Sequence, residues 1–122
     1  MKKAVLFFLI LAVMTCTFQG MATAGESTLD IVKKRGYINC IIGNSFPGFY
    51  SLDSKSNWVG MDIDICRAVA AAVFGDKSKV KFKPVQWAQS FTAIKSGDGD
   101  LLSKGMTWTL SRDTSQGLDF LD

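Results

Sequence analysis

From Thr28 onward, strand-forming and helix-forming segments alternate, and this alternation limits the architecture more than any other feature. Residues 28–35 predict a short helix, with Ser27 as N-cap and Gly36 as its stop. Residues 37–42 are β-branched and aromatic and predict a strand. Residues 43–49 carry Asn, Ser, Pro and two Gly and read as a loop; residues 53–57 read as a turn, followed by a short extended piece over 58–60. A helix capped by Asp62 or Asp64 runs to Phe74, with Ile65, Cys66, Val69 and Val73 on one face and Gly75 closing it. Residues 80–85 alternate as a half-exposed strand. Residues 90–96 predict a helix with Phe91, Ala93 and Ile94 inward and Gly97 as its stop. Residues 100–103 predict another strand, 111–116 a helical turn, and 118–121 the opening of a further strand. The connections are long enough for crossovers, so the expected fold is α/β, a mainly parallel sheet flanked by helices.

The chain begins differently. Met1-Lys2-Lys3, an apolar run from Val5 to Val13, and Ala22-Thr23-Ala24 form the three-part layout of a secretory signal peptide. Cleavage is expected after Ala24, so residues 1–24 are set apart and residues 25–122 form the folded part. Cys16 offers a lipoprotein alternative, but Met14-Thr15 before it suits that cleavage poorly. The full chain carries 14 Lys and Arg against 11 Asp and Glu. Losing Lys2 and Lys3 with the signal leaves one net positive charge, too little for a nucleic-acid-binding surface. There is no His, which excludes His-based triads and His-ligated metals. Oxidising surroundings outside the cytoplasm permit a disulfide between Cys40 and Cys66; two buried thiols are the alternative.

A parallel sheet directs attention to its carboxyl edge, where open α/β sheets bind ligands. Asn44-Ser45-Phe46 follows the first strand, Trp87 the strand ending at Val85, and Lys104-Gly105-Met106-Thr107 the strand ending at Ser103. Arg112 follows at the start of the expected helical turn. A guanidinium beside unoccupied helix N–H groups is suited to a carboxylate. Taken singly, Phe46 and Trp87 are ordinary packing residues, Thr107 a strand residue and Arg112 a solvated charge. Their shared position beyond the strand ends is what points to a small-molecule rim.

Several runs resemble a known family. Gly60-Met61-Asp62-Ile63-Asp64 resembles the "G-F-D-V-D" helix start of family 3 solute-binding proteins, the periplasmic amino-acid receptors of ABC importers. The run from Phe91 to Gly97, then Asp100, is similar to that family's "P-A-L-x-S-G-x-x-D" segment. Thr107-Trp108-Thr109-Leu110-Ser111-Arg112-Asp113-Thr114 resembles the "T-W-T-x-x-R-D-T" block of the general L-amino-acid-binding subgroup, and Cys40 and Cys66 are similar to a cysteine pair there. The resemblance implies lobe 1 of a type II periplasmic-binding-protein fold. It implies that Arg112 and Thr107 bind the ligand's α-carboxylate and that the Gly105 carbonyl accepts from its α-ammonium. Phe46 (or Phe49) and Trp87 would pack on its side chain. The implied ligand is an L-amino acid, the implied partner a permease in the inner membrane, and the implied setting the periplasm. A monomer without metal, cofactor or enzymatic activity is expected. Dehydratases and sensor domains on the same fold are the alternatives. The family has two lobes, so the second lobe and the C-terminal return to the first are expected to be missing here, leaving an exposed sheet edge.

Sequencing exported material from its N-terminus should give Gly25 as the first residue. A start at a lipid-modified Cys16 would overturn the expected cleavage.

Overall fold

Ile38–Ile42 (β1) is the strand on which the fold is organised. A computed structural model describes residues 26–120; the signal-like segment and Leu121 lie outside the described residues. Four of the five residues of β1 are buried, and Ile41 and Ile42 are fully so. A strand buried on both faces belongs in the middle of a parallel sheet. β1 accordingly pairs in parallel with Val80–Pro84 (β4) on one side and Leu101–Leu102 (β5) on the other. The register sets Ile38 opposite Val80, Ile42 opposite Pro84, and Cys40 opposite Leu101. Ser51–Leu52 (β2) and Trp58–Val59 (β3) form a separate antiparallel pair between β1 and the next helix.

Thr28–Arg35 (α1) and Met61–Phe74 (α2) cover one face of the sheet. The side-chain oxygen of Ser27 accepts from the Asp30 N–H at 3.2 Å, and the Gly36 N–H closes α1 on the Val32 carbonyl at 2.9 Å. Val32, Ile38 and Ala70 then meet beneath α1 and α2. The same face continues into Cys40, Ile42, Ile63 and Cys66, walled by Tyr50, Trp58 and Phe82. Burying an isoleucine here contributes about 2–3 kcal/mol. Ser90–Lys95 (α3) lies near β1 and β5, with Ala93 buried; a turn of 3-10 helix, Trp87–Gln89, leads into it. Asp100 pins the other end of β5: its carboxylate pairs with Arg35 and accepts the Asn39 N–H at 2.7 Å.

The start of α2 departs from expectation. Neither Asp62 nor Asp64 caps it. Loop carbonyls do so instead: Gly48 accepts from the Met61 N–H at 2.9 Å and Phe49 from the Asp62 N–H at 3.0 Å. That close approach requires glycine at position 60, where φ is 128° and a Cβ would lie 2.3 Å from the Phe49 carbonyl oxygen. Asp62 is released from capping and turns inward. The buried face is Asp62, Ile63, Cys66 and Ala70, with Val69 and Val73 half-buried, while Ile65 is exposed. Phe91 and Ile94 are likewise half-buried rather than core. Residues 118–120 form no strand; Gly117 turns the chain at φ 60°, and Phe120 stacks on Trp108 with centroids 6.2 Å apart. Among the described residues, no helix is long and apolar enough to cross a membrane.

Cys40 and Cys66 are joined by a disulfide, their Cα atoms 6.3 Å apart. The bond ties the central strand to α2 across 26 residues of sequence. Unreduced protein treated with an alkylating reagent should show neither cysteine modified by mass spectrometry. Replacing both with alanine should lower unfolding free energy by about 3 kcal/mol in urea titrations; an unchanged midpoint would deny the bond any stabilising role.

Candidate functional site

The three parallel strands end at one level. The Val85 N–H donates to the Ile42 carbonyl and the Ser103 N–H to the Ile41 carbonyl, both at 2.9 Å. The segments leaving β1, β4 and β5 therefore emerge on the same rim, and each carries residues expected there.

The segment after β1 folds back on itself. The Phe46 N–H donates to the Tyr50 carbonyl at 2.7 Å. The Phe46 ring stacks on Phe49 with centroids 4.8 Å apart and lies 6.1 Å from Tyr50. Tyr50 sits over Gly43, where a Cβ would come within 2.1 Å of the ring. Phe46 and Phe49 are thus one aromatic cluster rather than alternatives. Phe46 remains half exposed, as does Trp87, which opens the 3-10 turn after β4.

Gly105 and Thr107 are exposed on the segment after β5. Arg112 stands on a single wide turn, Ser111–Ser115, of π-helical form. Its Nη1 donates to the Thr107 carbonyl at 2.6 Å, so Arg112 and Thr107 are held together directly. Its guanidinium lies 5.8 Å from the centre of the Phe91 ring. The expectation of unoccupied helix N–H groups beside it is corrected: the Arg112 and Asp113 N–H groups both donate to the Thr109 carbonyl at 3.0 Å. These two donors beside the guanidinium are therefore consumed within the loop. Among the described residues Arg112 has no carboxylate partner, and no other N–H of its guanidinium is bonded.

Two buried charged residues beneath the rim escaped the sequence reading. Lys104 is 5% exposed, and its ammonium donates to the Val85 carbonyl at 2.5 Å and to Ser90 Oγ at 2.8 Å. It thereby clasps the segment after β5 to the segment after β4. Asp62 is 3% exposed; one carboxylate oxygen accepts from Ser103 Oγ at 3.3 Å, and the other has no partner among the described residues. Burial pushes the Asp62 carboxyl above the usual carboxylate range, with the Ser103 bond opposing this, and burial pushes the Lys104 ammonium below the usual lysine range. In the sequence Lys104 reads as the first residue of the rim segment after the strand ending at Ser103; only the approach of the 85–90 segment makes it buried. Asp62 looked like a cap because of its place in a helix start.

Asp62 and Ser103 also border a groove of about 550 Å³ along the outer side of β5, lined further by Ile65, Ile94, Leu101 and Leu118. It reaches the rim at Lys104 and Gly105, whereas Phe46, Trp87 and Arg112 do not line it. Among the described residues no group of three or more Cys, Asp or Glu is placed to hold a metal ion.

Residues 38–121 match the sequence profile of the bacterial extracellular solute-binding proteins, family 3. The general L-amino acid-binding periplasmic protein AapJ of Rhizobium johnstonii is 45% identical over 101 residues, 83% of this chain and 30% of that protein. The glutamate/glutamine/aspartate/asparagine-binding protein BztA of Rhodobacter capsulatus is 46% identical over 98 residues, 80% of this chain and 29% of that protein. An ABC transporter periplasmic binding protein from Brucella ovis, solved with glutathione bound, superposes with a TM-score of 0.74 at 49% identity, covering 78% of this chain and 30% of that one. The chain spans about a third of the length of the relatives it matches.

The buried Asp62 sets a pH dependence. Its native pKa lies above its unfolded value of about 3.9. Both states are protonated below that value, and stability is lost as pH rises through the native pKa. Asp62→Asn should therefore stabilise the chain at pH 7, by on the order of 1 kcal/mol, and the gain should vanish below about pH 3.9. Urea midpoints across pH check this; a gain that persists in acid would contradict it.

Proposed function

Because this chain belongs to the bacterial extracellular solute-binding proteins of family 3, we propose that it supplies part of the amino-acid-binding receptor of an ABC importer. In this reading residues 1–24 are a cleaved signal peptide and residues 25–122 are the N-terminal part of lobe 1. The receptor works in the periplasm as a monomer and delivers its ligand to a permease in the inner membrane.

The observation that carries the reading is the rim. Arg112 is fastened to the Thr107 carbonyl by one N–H, which leaves the rest of its fork for an α-carboxylate. The Thr107 hydroxyl adds a bond to the same carboxylate. The exposed Gly105 carbonyl accepts from the α-ammonium. The half-exposed rings of Phe46 and Trp87 flank the ligand's side chain. A second lobe would close over this surface by a hinge motion, excluding water and strengthening each charged contact. The names of the relatives, one for general L-amino acids and one for four acidic and amide amino acids, support the ligand class.

The test uses a chain in which residues 25–122 are continued by the remainder of the Rhizobium relative. Calorimetry with a panel of L-amino acids should show binding that Arg112→Ala weakens by about 2–5 kcal/mol. Arg112→Lys should recover only part, since a single ammonium cannot reproduce the planar two-pronged contact. Normal binding by Arg112→Ala would overturn the carboxylate role. The 122-residue chain alone should bind weakly or not at all; micromolar affinity there would show that the second lobe is dispensable.

A further inference from the structure

The charge of Lys104 lies within reach of the aromatic wall. Its Nζ is 5.6 Å from the centre of the Trp87 ring, close enough for a cation–π contact. Its other contacts are the Val85 carbonyl and Ser90 Oγ, both neutral acceptors. Among the described residues no carboxylate forms an ion pair with it. Two oxygen acceptors and a ring face are the surroundings of an ammonium, so a positive charge without an ion-pair partner among the described residues sits beneath the rim, with the Asp62 carboxylate held on the neighbouring Ser103. Trp87 is half exposed, so the ring that meets Lys104 also presents surface to a ligand.

This has a consequence for which ligand can stack there. An aromatic face attracts cations through its negative π-density. An ammonium already placed against the ring satisfies that attraction and adds a positive potential to the far side. A lysine or arginine side chain approaching Trp87 meets a weakened ring and a like charge. A carboxylate-bearing side chain gains from the same field, and a neutral amide is nearly indifferent. Arg112 does not supply this discrimination on the reading above, because its charge is matched by the α-carboxylate that every amino acid carries.

We infer that Lys104 is a specificity-determining residue of the rim, selecting acidic over basic amino acids through its charge beneath Trp87. The inference rests on the receptor reading and adds to it the class of side chain. In a partly desolvated cleft, two unit charges about 10 Å apart change a binding constant by roughly tenfold.

The test measures L-glutamate, L-glutamine and L-lysine binding by calorimetry in the same continued chain, with Lys104→Gln and Lys104→Arg beside the unsubstituted form. Glutamine keeps a donor for Val85 and Ser90 but removes the charge; arginine keeps the charge. The unsubstituted chain should bind glutamate more tightly than lysine. Lys104→Gln should reduce the glutamate-to-lysine affinity ratio by about tenfold, and Lys104→Arg should retain it. L-Glutamine reports general damage: if all three affinities fall together and their ratios stay within twofold, Lys104 is a structural clasp and the inference is overturned. Lysine binding as tightly as glutamate to the unsubstituted chain overturns it without any variant. If the unsubstituted chain binds no amino acid, the receptor reading fails and this inference fails with it.

Discussion

The rim exists because β1 pairs in register with a parallel neighbour on each side. That pairing places Ile42 opposite Pro84 and Ile41 opposite Leu102, so three successive excursions of the chain leave the sheet at the same level. A slip of one residue in any of the three strands would turn that strand's side chains to the opposite face of the sheet. Core packing and site geometry are therefore one constraint: Ile41 and Ile42, buried to hold the sheet, also supply the carbonyls on which the segments at Val85 and Ser103 are hung.

Burial of polar groups is concentrated immediately behind this rim. Ser103 and Lys104 are consecutive, and each reaches a different element, Ser103 toward Asp62 of α2 and Lys104 toward Ser90 at the start of α3. The end of β5 is thus held by directional bonds. Apolar contacts would pack there as well, but they tolerate sliding. Burying an ammonium and a carboxylate is costly, and the cost falls where Gly105 and Thr107 must be held in place.

Much of this was legible in the residues. The runs around β1, β4 and β5 carry their own strand signal, and Ser27, Gly36 and Gly75 mark real helix ends. The positions of Phe46, Trp87 and Thr107 at the strand ends followed from parallel topology alone. What was not legible depended on contacts distant in sequence. The inward turn of Asp62 follows from the Gly48 and Phe49 carbonyls taking the helix cap. The burial of Lys104 follows from Val85 and Ser90 closing over it. Residues 118–120 join no ladder among the described residues, because Gly117 turns the chain and Phe120 packs on Trp108.

The bond between Cys40 and Cys66 links the stability of this fold to the redox state of its surroundings. Reducing conditions in the cytoplasm keep such cysteines as thiols. A domain whose net stability is on the order of 5–15 kcal/mol then lacks a substantial fraction of it. A reduced chain is correspondingly easier to unfold. Oxidation locks the central strand to α2. The same two sulfur atoms that complete the core therefore make its stability conditional on oxidising surroundings.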